Sequence, residues 1–367
     1  MVKNKLTNRQ KAFPRFLLNT VWGMSVEKAA NWFKYDCNVL KNIDRNFVPP
    51  VLVATITDAC NLRCPTCLYL LENKKYLSKN FMPFADFVKV LDKYADKAEI
   101  LFLSGGEPLL HPEFWRFAAT GKDYGLKVKT SINGIGITND VLSKWSLKYR
   151  LDDINVSADC WSLDSFKKYR GGNADQYIKV LDGLSYLSDV GSDFSISFLL
   201  SRENVRYVNE MVSFASAYKP TTIHLHNINP HGCSNFRSLV TSCEEMDYIE
   251  KDLIGKTNYN SDIVISHIFN EESKEFYTTG CVQPWYYLCW DYRGDIAPCC
   301  HLAHDASYGN VLDTGESDRM KVFRKMQMTN SACKDTVNLP QSCKYCHRRF
   351  LGKNYASFDR EKGRWFR

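Results

Sequence analysis

The chain has 367 residues, of which 44% are hydrophobic and 24% are charged, and this composition excludes a collagen-like or disordered chain. The formal net charge of +7 suits an anionic substrate or partner, but Lys and Arg are interleaved with Asp and Glu, so no nucleic-acid-binding stripe is indicated. No run of about 18 apolar residues occurs and the basic start has no cleavage-site pattern, so we expect a cytoplasmic protein without stable membrane insertion.

Hydrophobic periodicity predicts the first elements. Residues 1–49 contain a predicted helix over 26–40, and we interpret this segment as an N-terminal helical extension. Beyond it, short apolar runs alternate with helical stretches, which is typical of a parallel sheet with right-handed crossovers. We therefore predict an α/β fold over 50–240, a partial (β/α)6 TIM-like barrel. The strand-like runs are 51–57, 99–105, 128–133, 153–158, 194–200 and 222–228, with helices near 83–96, 112–124, 139–148, 174–189 and 205–217.

The composition shifts after residue 240. We interpret 241–274 as a linker, 275–350 as a small cysteine-rich α+β domain and 351–367 as a tail. Within the small domain, YYLCWDYRGDIAPCC has the pattern of a β-hairpin with a turn at Gly294.

Fourteen cysteines without an export signal indicate metal or iron–sulfur ligation, because the cytosol keeps thiols reduced. Cys60, Cys64 and Cys67 follow the first predicted strand, and in a parallel barrel that loop lies at the C-terminal face, where active sites form. Three thiolates leave one iron of a four-iron cluster open to a substrate or cofactor. The alternative, a zinc site, normally has four ligands, and no fourth lies nearby.

The spacing C-x3-C-x2-C resembles the hallmark of the radical S-adenosylmethionine (SAM) superfamily. The resemblance implies that Cys60, Cys64 and Cys67 hold a [4Fe-4S] cluster whose open iron binds the amino and carboxylate groups of SAM. It also implies that an electron from the cluster splits SAM to a 5'-deoxyadenosyl radical, which abstracts a substrate hydrogen. A flavodoxin- or ferredoxin-type protein is the implied electron donor.

Further motifs fit this resemblance. Gly105, Gly106 and Glu107 follow the second strand and resemble the GGEP motif, which implies contact with SAM. Paired glycines let the backbone approach a ligand closely, although a Gly-Gly turn alone is an ordinary loop. Weaker candidates end strands or follow them, and each has an alternative as a turn, cap or surface residue. They are Ser131, Asn133, Ser157 and Arg170 for SAM, and Arg202 for the substrate.

Three histidines lie near the predicted barrel mouth, namely His224, His226 and His231. Alternation along a strand puts His224 and His226 on the same face. A buried structural pair and a substrate-facing pair are both open at this point.

A second cysteine set resembles the SPASM or shorter twitch domains that follow many radical SAM barrels. Cys281, Gly294 and Cys299 match the opening of such a domain, and Cys343 and Cys346 complete four thiolates. No cysteine follows them, which favours the twitch version with one auxiliary [4Fe-4S] cluster. A four-cysteine zinc site fits the same spacings.

Three further cysteines, Cys289, Cys300 and Cys333, leave the choice of ligands open. Cys300 can be an alternative ligand, a buried thiol, or a hydrogen-atom donor to a substrate radical, and it is the catalytic candidate among them.

The implied function is radical chemistry on a small sugar- or nucleotide-like molecule, by dehydrogenation, epimerisation or bond formation. Residues 1–49 are short for a peptide-recognition domain, and one auxiliary cluster resembles aminocyclitol dehydrogenases and the molybdopterin-precursor enzyme. The alternative is a peptide-modifying enzyme. A non-catalytic iron–sulfur or zinc protein is a third interpretation, against which the open three-cysteine site argues.

Overall fold

The run VLVATIT forms strand β1 (Val51–Thr57), in which every residue is buried. A strand that is buried on both faces and rich in β-branched residues belongs inside a parallel sheet. Six more parallel strands and a terminal hairpin complete that sheet in the described part of the chain.

The computed structural model describes residues 28, 31, 47–67, 79–138, 151–228, 238–242, 244–245, 249, 262–266, 283–300, 302, 304–313, 315–328 and 343. Several predictions fall outside these residues. They are most of the helix over 26–40, the helix near 139–148, the tail over 351–367, and Cys281, Cys333, Cys346 and His231.

Six strands and five α-helices are described between residues 51 and 227, and the β3–β4 connection over 139–150 lies outside the described residues. The strands are β1, β2 (Ile100–Gly105), β3 (Lys127–Ile132), β4 (Asp153–Ser157), β5 (Phe194–Leu200) and β6 (Thr222–Asn227). The helices between them are α1 (Phe84–Tyr94), α2 (Phe114–Asp123), α3 (Leu163–Arg170), α4 (Ala174–Asp189) and α5 (Val208–Ser216). These bounds confirm the six predicted strands and the α/β fold class.

Later elements are shorter. They are β7 (Asp262–Ser266), α6 (Gln283–Tyr286), β8 (Tyr287–Trp290), β9 (Ile296–Ala297), β10 (Gly309–Asn310), β11 (Gly315–Glu316) and α7 (Asp318–Met328). None of the helices among the described residues is long and apolar enough to cross a membrane.

Local sequence sets the ends of the helices that flank the site. Ser162 is the N-cap of α3 and Asn173 is the N-cap of α4, and each forms a capping box with Ser165 or Gln176. Each box satisfies backbone N–H groups that the first helical turn leaves unpaired. Gly171 ends α3 in the left-handed conformation, which glycine adopts without a side-chain clash.

The sheet follows chain order except at one edge. Its order is β7-β6-β5-β4-β3-β2-β1-β8-β9, and all neighbours are parallel except β8 and β9. Val51 to Ala54 of β1 pair with Tyr287 to Trp290 of β8. The predicted hairpin is therefore confirmed, and its first strand extends the barrel sheet. Strand β7 lies in the range predicted as a linker, and the domain boundaries stay predictions.

The two faces of the sheet have different chemistry. The outer face packs on the helices around fully buried Phe87, Phe117 and Leu101, and each such side chain contributes about 1.5–3 kcal/mol of transfer free energy. The inner face is apolar on β1, β2 and β8, where Val53, Phe102 and Cys289 meet, with Val51, Ile100, Tyr286, Tyr287 and Ala297 beside them. On β3 to β6 the same face carries polar residues instead.

Candidate active site

The three thiols of the C-x3-C-x2-C motif lie on the loop that leaves the carboxyl end of β1, which we call the cysteine loop (residues 58–67). Cys60, Cys64 and Cys67 are partly exposed and free of disulfides. The Cys67 amide donates to the Cys64 carbonyl at 3.1 Å, and the Leu62 amide donates to the Cys60 sulfur at 3.5 Å. The thiols are close enough to act electrostatically on one another.

The GGEP loop after β2 is hydrogen-bonded to the cysteine loop. The Gly106 amide donates to the Thr57 carbonyl at 3.0 Å, and the Glu107 amide donates to the Ala59 carbonyl at 2.7 Å. A Cβ on Gly106 would lie 2.4 Å from the Ala59 oxygen, and one on Gly105 would lie 2.5 Å from the Thr57 oxygen. Loop packing therefore requires both glycines, and their contact with SAM stays a prediction.

The Glu107 side chain is 1% exposed and ties the GGEP loop to the end of β3. Its carboxylate accepts the Asn133 amide at 2.7 Å and the Leu109 amide at 3.3 Å. Burial raises the pKa of Glu107 to about 7, although these two donors and the Arg170 charge lower it. Glu107 therefore positions backbone, and its predicted bond to SAM stays a prediction.

Asn61, which lies between the first two cysteines, is held from two directions. Asn133 donates to the Asn61 side-chain oxygen at 2.6 Å, and Gln176 donates to the Asn61 carbonyl at 3.0 Å. Asn133, which was predicted to bind SAM, thus holds the cysteine loop in place through a hydrogen bond. Sequence reasoning missed Gln176, for which the capping-box spacing at the start of α4 was the available signal.

Arg170 lies at the end of α3 beside the cysteine loop. Its Nη1 donates to the Asp159 carboxylate at 2.9 Å, and the side chain is 11% exposed. Its Nε is buried without a hydrogen-bond partner among the described residues. Burial disfavours the charge, but Cys64, Asp159 and Cys160 raise the pKa of Arg170 above its ordinary value. A permanent cation therefore lies next to the Cys64 thiol.

Ser131 and Ser157, predicted as SAM contacts, meet at the mouth of the barrel with their hydroxyls 3.2 Å apart. Asn155 donates to Ser131 and to Ser197, both at 3.0 Å, and accepts from Ser195 at 3.2 Å. These bonds use both hydrogens of the Asn155 amide. The Ser131–Ser157 hydrogen bond uses one of the two hydroxyl hydrogens of that pair, so the other can be donated to a ligand. Alternation along β4 was the signal for Asn155.

A known protein family matches the part of the chain that carries this site. Residues 54–215, which run from β1 through α5, match the model of the radical SAM superfamily. This chain contains a radical SAM domain.

Several characterised or assigned enzymes are similar to this chain at modest sequence identity. The mycofactocin maturase MftC of Mycolicibacterium smegmatis is 26% identical over 315 residues, covering 80% of this chain and 76% of MftC. The PqqA peptide cyclase of Rhizobium meliloti is 22% identical over 321 residues, covering 84% of this chain and 82% of the cyclase. A probable GTP 3',8-cyclase of Saccharolobus solfataricus is 29% identical over 208 residues, covering 55% of this chain and 65% of the cyclase.

Solved structures share the fold. Streptococcus suis SuiB bound to the precursor peptide SuiA has a TM-score of 0.61 at 15% identity, and the match covers 93% of this chain and 82% of SuiB. The enzyme anSMEcpe with bound AdoMet has a TM-score of 0.59 at 16% identity, covering 86% of this chain and 92% of that one. Identity this low shows likeness of fold alone.

The donor set fits the [4Fe-4S] cluster that the family implies. Burial raises the pKa of the Cys60 thiol and raises that of Cys64 to about 11, while Arg170 lowers both. Thiolates are the ligands, so binding of the cluster must release these protons. When bound, the cluster supplies the electron that splits SAM. The chain's own part is to hold three thiols on a loop fixed by the GGEP loop, Asn133 and Gln176.

The two catalytic candidates of the sequence lie on the segments that follow β5 and β9. The Arg202 side chain is 53% exposed, and its Nε is 3.8 Å from the Glu245 carboxylate. Cys300 is exposed and follows β9. Their catalytic roles stay predictions.

The β8–β9 hairpin has its turn near the carboxyl end of β1 and its cysteines near the amino end. At its turn, Asn80 donates to the Tyr292 hydroxyl at 3.0 Å and to Asp58 of the cysteine loop at 2.9 Å. Because β9 runs antiparallel to β8, Cys299 and Cys300 lie towards the amino end of β1.

Other cysteines of this set are buried. Cys289 is 1% exposed on the inner face, where burial and Cys300 raise the pKa of its thiol well above the ordinary value. Cys299 and Cys343 are each 8% exposed. The other two predicted ligands, Cys281 and Cys346, lie outside the described residues, so the auxiliary cluster stays a prediction.

Proposed function

We propose that this radical SAM enzyme modifies a peptide. The observation that supports it is the extent of the matches with MftC and the PqqA peptide cyclase, which cover 80% and 84% of the chain and so extend beyond the barrel. The match with the GTP cyclase covers 55%. The peptide alternative of the sequence analysis therefore has more support than a sugar- or nucleotide-like substrate, which was its first expectation.

The experiment is anaerobic reconstitution with iron and sulfide, followed by incubation with SAM, dithionite and synthetic candidate precursor peptides. We expect 5'-deoxyadenosine and a change in peptide mass by mass spectrometry. A variant with Cys60, Cys64 and Cys67 changed to Ala should give neither product. Conversion of GTP with every peptide unchanged would contradict the proposal and favour a nucleotide substrate, for which the 29% identity with the GTP cyclase is the supporting observation.

An auxiliary [4Fe-4S] cluster is the second part of the proposal. Its ligands would be Cys281, Cys299, Cys343 and Cys346, and the turn at Gly294 and the burial of Cys299 and Cys343 support this set. The reconstituted triple Cys→Ala variant should retain about four irons per chain. Zinc in place of iron in the isolated protein, or no retained iron, would contradict it. A flavodoxin- or ferredoxin-type donor should replace dithionite in the same assay.

A further inference from the structure

The inside of the barrel, which we call the lumen, has one apolar and one polar wall. The apolar wall is the Val53, Phe102 and Cys289 cluster of β1, β2 and β8. The polar wall faces it from β3 to β6. Its members include Lys129, Asp153, Ser195, His224 and His226. A substrate group that reaches the lumen thus has hydrogen-bonding and ionisable partners on one side.

The ionisable part of the polar wall is a cluster around His224. The Lys129 ammonium is 3.2 Å from the Asp153 carboxylate, and the two side chains are 19% and 23% exposed. The His224 and His226 rings stack, with centroids 5.4 Å apart and planes at 9°. Burial lowers the pKa of His224, Asp153 raises it and Lys129 lowers it. These residues are the charged and titratable groups that act on His224 from β3, β4 and β6.

His224 differs from a structural histidine of the same chain. Both ring nitrogens of His111 are occupied, since Nε2 lies 3.0 Å from the Met82 carbonyl and Nδ1 accepts the Glu113 amide at 3.1 Å. The His224 ring is partly exposed and, within the described residues, has no hydrogen bond to either nitrogen. A neutral imidazole with open nitrogens, within the electrostatic reach of the Asp153 carboxylate, is suited to accept a proton.

We propose that His224 is the proton acceptor of the lumen, with Asp153 stabilising the imidazolium and Lys129 holding Asp153 in place. Bound SAM would supply a 5'-deoxyadenosyl radical that takes a hydrogen atom from a substrate C–H bond. An oxidised auxiliary cluster, if bound, would take up one electron from the resulting carbon radical and be reduced, while the proton of an adjacent N–H, O–H or C–H bond passes to His224. A π bond forms between the two substrate atoms, which completes a two-electron oxidation. This step rests on the proposed function for the substrate and for the auxiliary cluster as electron acceptor.

The first test needs no substrate. Histidine labelled with 13C at Cε1 is titrated by NMR in the reconstituted enzyme, with His224→Gln used to assign the signal. We expect a midpoint below the ordinary value, a lower one in Asp153→Asn and a higher one in Lys129→Met. A midpoint at or above the ordinary value, or one that neither variant moves, would overturn the proposal.

The second test uses turnover of the peptide and counts product per 5'-deoxyadenosine. In His224→Ala we expect this ratio to fall by about 10²-fold or more while 5'-deoxyadenosine still forms, and added imidazole to raise it. The wild-type ratio should fall as the pH drops through the pKa of His224, because the protonated ring cannot accept a proton. The control Ser195→Ala removes a lumen hydroxyl without a titratable group and should keep this pH dependence.

A wild-type ratio in His224→Ala, or a low ratio that imidazole leaves unchanged, overturns the assignment of His224. If the wild-type enzyme itself leaves every peptide unmodified, the peptide proposal fails, and a midpoint that neither variant moves still overturns the assignment of His224.

Discussion

The change Gly106→Ala tests whether contact between two backbone loops positions the cluster ligands. The new Cβ would lie 2.4 Å from the Ala59 carbonyl oxygen and 2.9 Å from that of Asp58. A carbon–oxygen contact relaxes to about 3.3 Å, so the loops must separate by about 1 Å. The 2.7 Å bond from the Glu107 amide to Ala59 would then exceed hydrogen-bond range, as would the 3.0 Å bond from Gly106 to Thr57.

Loss of two buried backbone bonds costs about 2–4 kcal/mol, and a displacement of about 1 Å at an active site lowers rates by about 10²-fold. We therefore expect Gly106→Ala to bind less iron at the cysteine loop and to form 5'-deoxyadenosine about 10²-fold more slowly. The assays are iron content in the background that lacks the auxiliary ligands, and 5'-deoxyadenosine by chromatography.

The matched control is Gly125→Ala. Its φ of +71° strains an Ala by about 1–2 kcal/mol, but its Cβ would meet nothing within 4 Å. It should lower stability slightly and leave iron content and SAM cleavage unchanged. Wild-type iron content and rate in Gly106→Ala would refute the loop-contact argument.

Three further predictions follow from buried or half-buried ionisable groups. Burial lowers the pKa of His304 from 6.5 to about 4, so unfolding takes up a proton and the free energy of unfolding should fall by up to about 3 kcal/mol as pH drops from 6.5 to 4. Thermal melts of His304→Phe across that range should show a smaller pH dependence, and an equal one would contradict the assignment. Arg170→Met removes the cation beside Cys64 and should weaken SAM binding by about tenfold or more in calorimetry, whereas an unchanged Kd would place SAM elsewhere. Arg324 is buried and its partner Glu316 is 23% exposed, so Arg324→Met leaves a half-buried carboxylate unpaired and should destabilise the protein by about 1–3 kcal/mol, more than the double variant with Glu316→Gln does.

Much of the barrel could be predicted from the sequence because its signals are local. Apolar runs of strand length recur between helical stretches, and the cysteines come directly after the first run, so the chemistry of the loop and its place at the carboxyl end of β1 followed from order alone. The alternation that put His224 and His226 on one face is confirmed by their stacked rings. The hairpin turn at Gly294 was equally readable, since glycine at a positive φ marks such turns.

Other features depend on contacts between residues far apart in the chain, which spacing does not encode. The pairing of β8 with β1 joins residues separated by most of the chain, and it places an apolar cysteine against Val53 in the lumen. Gly106 had the sequence signal of a ligand-binding glycine, but the structure shows that the absence of its side chain lets the Ala59 backbone pack against it.

The sequence by itself determined the parallel barrel, the three-thiol loop and the radical SAM class, because each depends on residue type and near-neighbour order. Only the tertiary structure decided which side chains share the lumen with His224, and that Arg170 is a buried cation paired with Asp159. The physical reason is that the environment of an ionisable group is set by burial and by charges from other strands, and those are fixed only when the sheet is assembled.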